Sequence, residues 1–384
     1  MRALVGTAVA AGLIAASNVQ AGLIVYEDGD KFVEVGGRIQ LQYYRENPEV
    51  GASTDSWFFR RLRPYIAGSK HKDWYGKWQW DMGKAEGGNE LAVKDAYIRY
   101  SGWAGHKLYV GNVDFPFSRE YLTSSKKSTL VERGFAGDHN YGTPDKNLGI
   151  KLQGSVAGGR FGYAFGIANA SVDPDDSKLD FDTPMNRNDD FNEGTMVGGR
   201  LSIAPMGAVS FAQGYNSGAF KFAVEAGAFG WSNDGDNNVN TDPVTGLDVG
   251  AGKPDVDKAT GTEAVIALRG YGLSLDLQGN KYKAETIDGT YGGGLYSFGE
   301  AELTQTHAEA GYMIVAKRLE IAAGAQSQDA DTYTDKWMRR SVGLNYFVHG
   351  HDLKIQATLR NNYNNDGVTD KDSREVFVQT QYVF

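Results

Sequence analysis

Cysteine is absent from all 384 residues. No disulfide can brace this fold, and no thiolate can serve as nucleophile or metal ligand. Long apolar runs are missing too. Past residue 21 nothing approaches the roughly 20 apolar residues of a spanning helix. That leaves either an exported soluble protein or a membrane protein that crosses with strands. A basic excess is also lacking: Lys plus Arg number 39 against 48 Asp plus Glu, a net charge of -9. A dominant role on nucleic acid is excluded, because phosphate-backbone binding needs a basic surface.

What is present begins with a leader. Arg2 is the only charge in residues 1–21, Ala3 to Ala16 is apolar, and Val19-Gln20-Ala21 ends in small residues. This predicts a cleaved secretory signal, with residues 22–384 as one domain. The hydrophobic fraction is 41%, with 50 Gly, 18 Phe and 21 Tyr. That mixture is too polar for a helical membrane protein and suits strands that are half polar.

The chain ends in VFVQTQYVF. Val376, Val378, Thr380, Tyr382 and Phe384 share one face; Phe377, Gln379 and Gln381 share the other. Alone, this fits a barrel with lipid outside and water inside, or an edge of a soluble sandwich. Residues upstream repeat the pattern. Val33, Val35, Ile39, Leu41 and Tyr43 alternate with Glu34, Arg38, Gln40 and Gln42. Leu353, Ile355, Ala357 and Leu359 alternate with Lys354, Gln356, Thr358 and Arg360. About 16 such segments predict an all-β, transmembrane antiparallel β-barrel whose last strand closes on the first near Val33 to Tyr43. Tight turns (156–159, 270–272, 349–351) alternate with long polar loops near 45–56, 84–92, 114–146, 169–193, 232–260, 282–302, 327–336 and 361–373. Loops on one side and turns on the other are the barrel pattern of a bacterial outer membrane.

The strand FFRRLRPYIAG (58–68) decides which residues line the bore. One register points Arg61, Arg63, Tyr65 and Ala67 inward and leaves only Arg60 toward lipid. The other strands two arginines there, at about 2–4 kcal/mol each near the midplane. The first register is expected, and a bulge at Arg60-Arg61 would turn both inward. Pro64 lacks a donor and marks a break in the ladder. The same alternation sends charges of both signs to the lumen, with a modest basic excess; any one of them can simply pair across strands and hold the wall.

The third loop, 114–146, carries Phe115, Phe117, Tyr121, Leu122, Leu130, Val131 and Phe135. It is too apolar to stand in solvent and is expected to fold into the lumen as a constriction, with SSKKSTLVERG as a short helical turn. Here the chain resembles the phosphate-selective porins of the O and P type. The matching pieces are RRLRPYIAG (60–68), YGKWQWDMG (75–83), VKDAYIRYSG (93–102), LYVGNVDFPFSREYLTSSK (108–126) and ERGF (132–135). The best match spans residues 33–135.

The resemblance implies a homotrimeric, 16-stranded channel among outer-membrane lipids, with no enzymatic step and no cofactor. It also implies a site for small inorganic anions, phosphate among them. On this basis Arg60 and Arg61 fall at the family's paired arginines, with Arg63 nearby. Asp95 falls at its DAY motif. Ser124, Ser125 and Lys126 fall at its SSK segment, which Lys127 extends. The chemistry is apt: guanidinium groups grip phosphate oxygens in pairs, ammonium adds charge and hydroxyls donate. Asp95 would temper the site so that an ion can leave, or would pair with Arg61 or Arg99 in the wall. One departure stands out. The lumen has fewer lysines than such a channel implies, and the acidic loops repel anions at the mouth.

Other constellations fail. The six histidines lie mostly in turns or loops; His307 and Glu309 share a lumen face without a nucleophile, and no metal site is expected. DPDD (173–176) and NDGDNN (233–238) lack calcium-loop spacing. The competing readings are a general or sugar-passing porin of the same fold, and a barrel that sleeves a partner protein.

Overall fold

A computed structural model describes residues 22–83, 92–173, 178–182, 194–216, 218–233 and 256–384. The leader 1–21 lies outside the described residues, as do most of the expected loops 84–92, 169–193 and 232–260 and most of both acidic stretches.

Strands β1 to β6 are Leu23–Asp28, Lys31–Pro48, Thr54–Ser69, Trp74–Asp81, Ala92–Tyr100 and His106–Asp114. Strands β7 to β12 are Lys146–Val156, Phe161–Asp173, Asp180–Asp182, Gly194–Ile203, Lys221–Ser232 and Val256–Gly270. Strands β13 to β18 are Leu273–Thr286, Glu300–Val315, Leu319–Ala330, Trp337–His349, Leu353–Tyr363 and Ser373–Val383. All eighteen belong to one sheet. Leaving out the short β1 and β9, sixteen antiparallel strands close a ring: β8 pairs with β10 and β18 pairs with β2.

Closure follows from the period-2 pattern. In β17, Ile355 and Leu359 face out while Lys354, Gln356, Thr358 and Arg360 are buried inside. Outward Ile266, Val342 and Leu344 stay exposed, an apolar belt that lipid can cover. At the seam, the Gly37 amide donates to the Phe384 carbonyl at 2.7 Å and the Phe384 amide returns the bond at 3.0 Å. A Cβ at Gly36 would sit 2.6 Å from the Phe384 backbone carbonyl oxygen, so the seam closes on glycine there.

Register at the arginine strand follows the lipid-cost argument. Gln40 pairs with Arg61 but Leu41 pairs with Phe59, so Arg60 is the extra residue of a bulge. Beyond Pro64 the β3–β4 ladder stops at Tyr65↔Gln79. Four loops are shorter than expected: 45–56 shrinks to 49–53, 282–302 to 287–299, 327–336 to 331–336 and 361–373 to 364–372, because their flanking strands run on. The link between β10 and β11, residues 204–220, is not a tight turn.

The loop between β6 and β7 crosses the bore. Its one α-helical turn, α1, is Arg119–Leu122, where the Ser118 hydroxyl accepts the Tyr121 amide, and a 3-10 turn follows at Phe135–Gly137. SSKKSTLVERG holds no helix, a correction to the expectation. Its backbone is instead held in turns and bends against the wall. The Leu130 amide donates to Glu309 and the Val131 amide to Thr358, while Asn345 donates to the Thr129 carbonyl. Phe117 packs edge-on against Phe229 of β11 with centroids 4.9 Å apart, and Phe135 against Trp337 of β16 at 4.8 Å. Only a segment inside the ring can touch the inner faces of β11 through β17 together.

Candidate functional site

The loop leaves a cavity of about 790 Å3 beside it, lined among others by Tyr97, Lys107, Tyr109, Lys126, Lys127 and Lys151. Of the expected residues, Ser124, Lys126 and Lys127 line this opening; Arg60, Arg61, Arg63, Asp95 and Ser125 do not. Ser124 to Lys127 form a turn in which the Lys127 amide donates to the Ser124 carbonyl at 2.6 Å. Ser125 lies under β2: its hydroxyl accepts from Arg38 at 3.0 Å, and its carbonyl accepts from Gln40 at 3.4 Å. The loop's serine thus docks on an arginine that the motif comparison did not single out.

The three arginines of β3 differ in freedom. Arg60 grips Glu132 of the third loop, at 2.7 Å through Nε and 3.3 Å through Nη2. Arg63 is paired with Asp81 at 2.6 Å. Arg61 donates to the neutral Gln40 amide at 3.1 Å, and its buried Nε has no partner. Asp95 does not take Arg61 or Arg99. It bridges Lys77 at 2.5 Å and Lys146 at 2.7 Å, and Lys146 goes on to Asp114 at 2.6 Å. Arg99 instead lies over the Tyr75 ring, 4.3 Å from its centroid.

Among the described residues, Arg38, Arg61, Lys126 and Lys127 form no ion pair. Burial pushes the Lys126 ammonium down to about 8, and Arg38, Lys127 and Lys77 push the same way. Burial works to raise Glu132, but Arg60 and Arg61 outweigh it and hold that carboxyl down at about 2. An unpaired cationic cluster beside a hydroxyl has the chemistry to hold an oxyanion.

The opposite wall is different. Arg119 of the loop, fully buried, pairs with Glu225 at 2.8 Å and Asp276 at 2.9 Å. Arg269 pairs with Asp276 at 2.7 Å, and Arg200 with Glu225. The acids of β11 to β13 are neutralised under the loop.

A profile of the phosphate-selective porins O and P matches residues 33–285, well past the motif-bearing stretch. The chain belongs to that family. It is a porin of the Gram-negative outer membrane. Over 140 residues it is 30% identical to Porin O of Pseudomonas aeruginosa, a stretch holding 35% of this chain and 32% of that protein. The chain therefore spans about a third of the length of the curated relative it matches. Solved barrels agree on the fold at low identity. An anion-selective porin from Comamonas acidovorans superposes with TM-score 0.60 at 12% identity, covering 92% of this chain and 100% of that one. The channel DcaP of Acinetobacter baumannii gives 0.53 at 10%, covering 94% and 100%.

Sequence reasoning about this porin missed a second intruder into the bore. In the link 204–220, the Phe211 ring lies under the guanidinium groups of Arg119 and Arg200, at 4.7 and 5.0 Å. The Gln213 amide donates to the Lys127 carbonyl at 2.9 Å. The signal was Phe211 and Tyr215, aromatics in a stretch where no strand needs them.

Proposed function

We propose that this porin passes small inorganic anions, phosphate included, by diffusion past a constriction built from Arg60, Arg61, Arg63, Asp95, Ser124, Ser125, Lys126 and Lys127. The roles within that set differ. Arg61, Lys126 and Lys127 meet the anion, with Arg38 added to them. The Ser124 and Ser125 hydroxyls orient it. Arg60 acts by fastening the loop through Glu132. Asp95 and Arg63, each tied in an ion pair, keep the field shallow enough for release. The observation that carries this reading is the set of unpaired cations around Ser125, facing a wall whose acids are already neutralised. The same reading has residues 1–21 removed on export, the apolar belt in outer-membrane lipid and the channel assembled as a homotrimer.

Planar-bilayer recording tests it. The reversal potential in a KCl gradient is expected on the anion side, and phosphate is expected to block chloride current. Arg61→Ala is expected to weaken that block about tenfold, the worth of one charge-assisted contact. Cation preference with no phosphate block would leave a general porin, and absence of conductance would leave a partner-binding sleeve.

A further inference from the structure

Glu120 of α1, His307 and Glu309 form a buried cluster between the third loop and β14. One ligand atom from each lies within 4.8 Å of the others. His307 Nδ1 is 3.3 Å from Glu120 Oε2, and its Nε2 is 3.6 Å from Glu309 Oε2. Neither contact has hydrogen-bond alignment: both ring nitrogens and Glu120 Oε2 are buried without a partner. Gln326, paired with His307 across β14 and β15, is buried too, and neither atom of its amide has a partner. A Cβ placed on Gly134 would lie 2.2 Å from that amide oxygen, and the Gly134 amide itself donates to Glu120 Oε1. The carboxamide therefore lies against the Glu120 side of the cluster.

We propose that these residues bind a divalent cation of the zinc type, and that the ion fastens the constriction loop to the wall. Ligands of one tetrahedral zinc stand about 3.3 Å apart, side by side and not pointing at one another. One ion takes one ring nitrogen, so one of the two close contacts has that spacing, and the other carboxylate oxygen lies within 4.8 Å of the same nitrogen. Charge agrees. Two carboxylates and a neutral imidazole sum to -2, which a divalent ion cancels. A protonated imidazole would leave one buried negative charge over. The other carboxylate oxygens are already used: Glu120 Oε1 by Gly134, and Glu309 Oε1 by the Leu130 amide at 3.1 Å. The free oxygens are thus held in place as a second shell would hold them. Imidazole with oxygen ligands suits zinc and its first-row neighbours over calcium.

The test uses the full chain, refolded into detergent with excess Zn2+, desalted and analysed for metal by mass spectrometry. About one zinc per chain is expected, falling about tenfold in His307→Gln and in Glu309→Gln, each first shown to be a folded barrel by gel migration. Chelator added to loaded channels in a bilayer is expected to raise current fluctuations as the loop loosens. Retention of less than about a tenth of an equivalent by the parent chain overturns the proposal, as does equal retention in both folded variants. A loop whose fluctuations follow pH and ignore chelator overturns it in favour of a shared proton.

Discussion

Lys126 offers a titration of the constriction by one charge. With its pKa at about 8, the ammonium is about 97% charged at pH 6.5 and about 3% at pH 9.5. Phosphate changes its own charge near neutrality, so sulfate is the cleaner blocker. In a water-filled bore a dielectric of about 80 is the conservative choice, and one unit charge at about 5 Å then contributes about 0.8 kcal/mol. Sulfate carries two charges, so discharging Lys126 costs its binding about 1.7 kcal/mol, somewhat over tenfold in the blocking constant. The assay is chloride current through single channels, titrated with sulfate from pH 6.5 to 9.5. Block is expected to weaken more than tenfold with a midpoint near pH 8. Lys126→Arg, which stays charged throughout, is expected to flatten the curve. A parent channel with constant block refutes the reasoning, and so does a Lys126→Arg curve matching the parent's.

Arg119→Met leaves the buried Glu225 and Asp276 without their bridge and is expected to cost about 3–5 kcal/mol, read as a lower unfolding temperature and a noisier, wider channel. Asp95→Asn releases Lys77 and half-releases Lys146, so the reversal potential should move further to the anion side and sulfate block should strengthen a few-fold. Glu132 titrates in the acid direction. Its folded pKa lies below the ordinary 4.5, so the stability it contributes is complete above that value and is lost as pH falls toward 2. Loop-driven flicker in single-channel records is therefore expected to rise only below about pH 4.5, and Glu132→Gln is expected to show it at neutral pH.

How far the sequence could be read depended on what each residue's environment costs. Strand faces were legible because a one-residue slip would move every side chain across the wall, and lipid penalises charge. That same penalty pointed to the bulge at Arg60. The pairing of Asp95 was not legible. Its partner Lys77 is offset from it across β4 and β5, where the register sets Asp95 against Gln79, and Lys146 returns from the far side of the third loop. Alternation says which face a residue takes, never which neighbour it finds there. The helical turn was misplaced by reading the polar SSKKST as its start. Ser118, before REYL, is the residue whose side chain caps, and the segment SSKKSTLVERG is held in turns and bends by bonds to the wall that no local pattern records. Glu120 likewise met His307 only because the loop folds back on β14.

The acidic balance of the chain and an anion path through it are compatible because charge is sorted by position. Arg119, Arg200 and Arg269 stand against Glu225, Glu263 and Asp276 beneath the loop, three against three, so these six charges compensate one another. Among the described residues, Arg38 and Arg61 of the wall and Lys126 and Lys127 of the loop are left without an acidic partner, with the Ser125 hydroxyl on Arg38. On the proposed reading, a bore of mixed composition presents one sign to an ion in transit. The loop performs both tasks at once: its arginine cancels the acids it covers, and its serines and lysines are delivered to the arginines it leaves open. The shortage of lumen lysines is then less of an obstacle, since selectivity depends on the charges left unpaired at the narrowest point and not on how many line the wall.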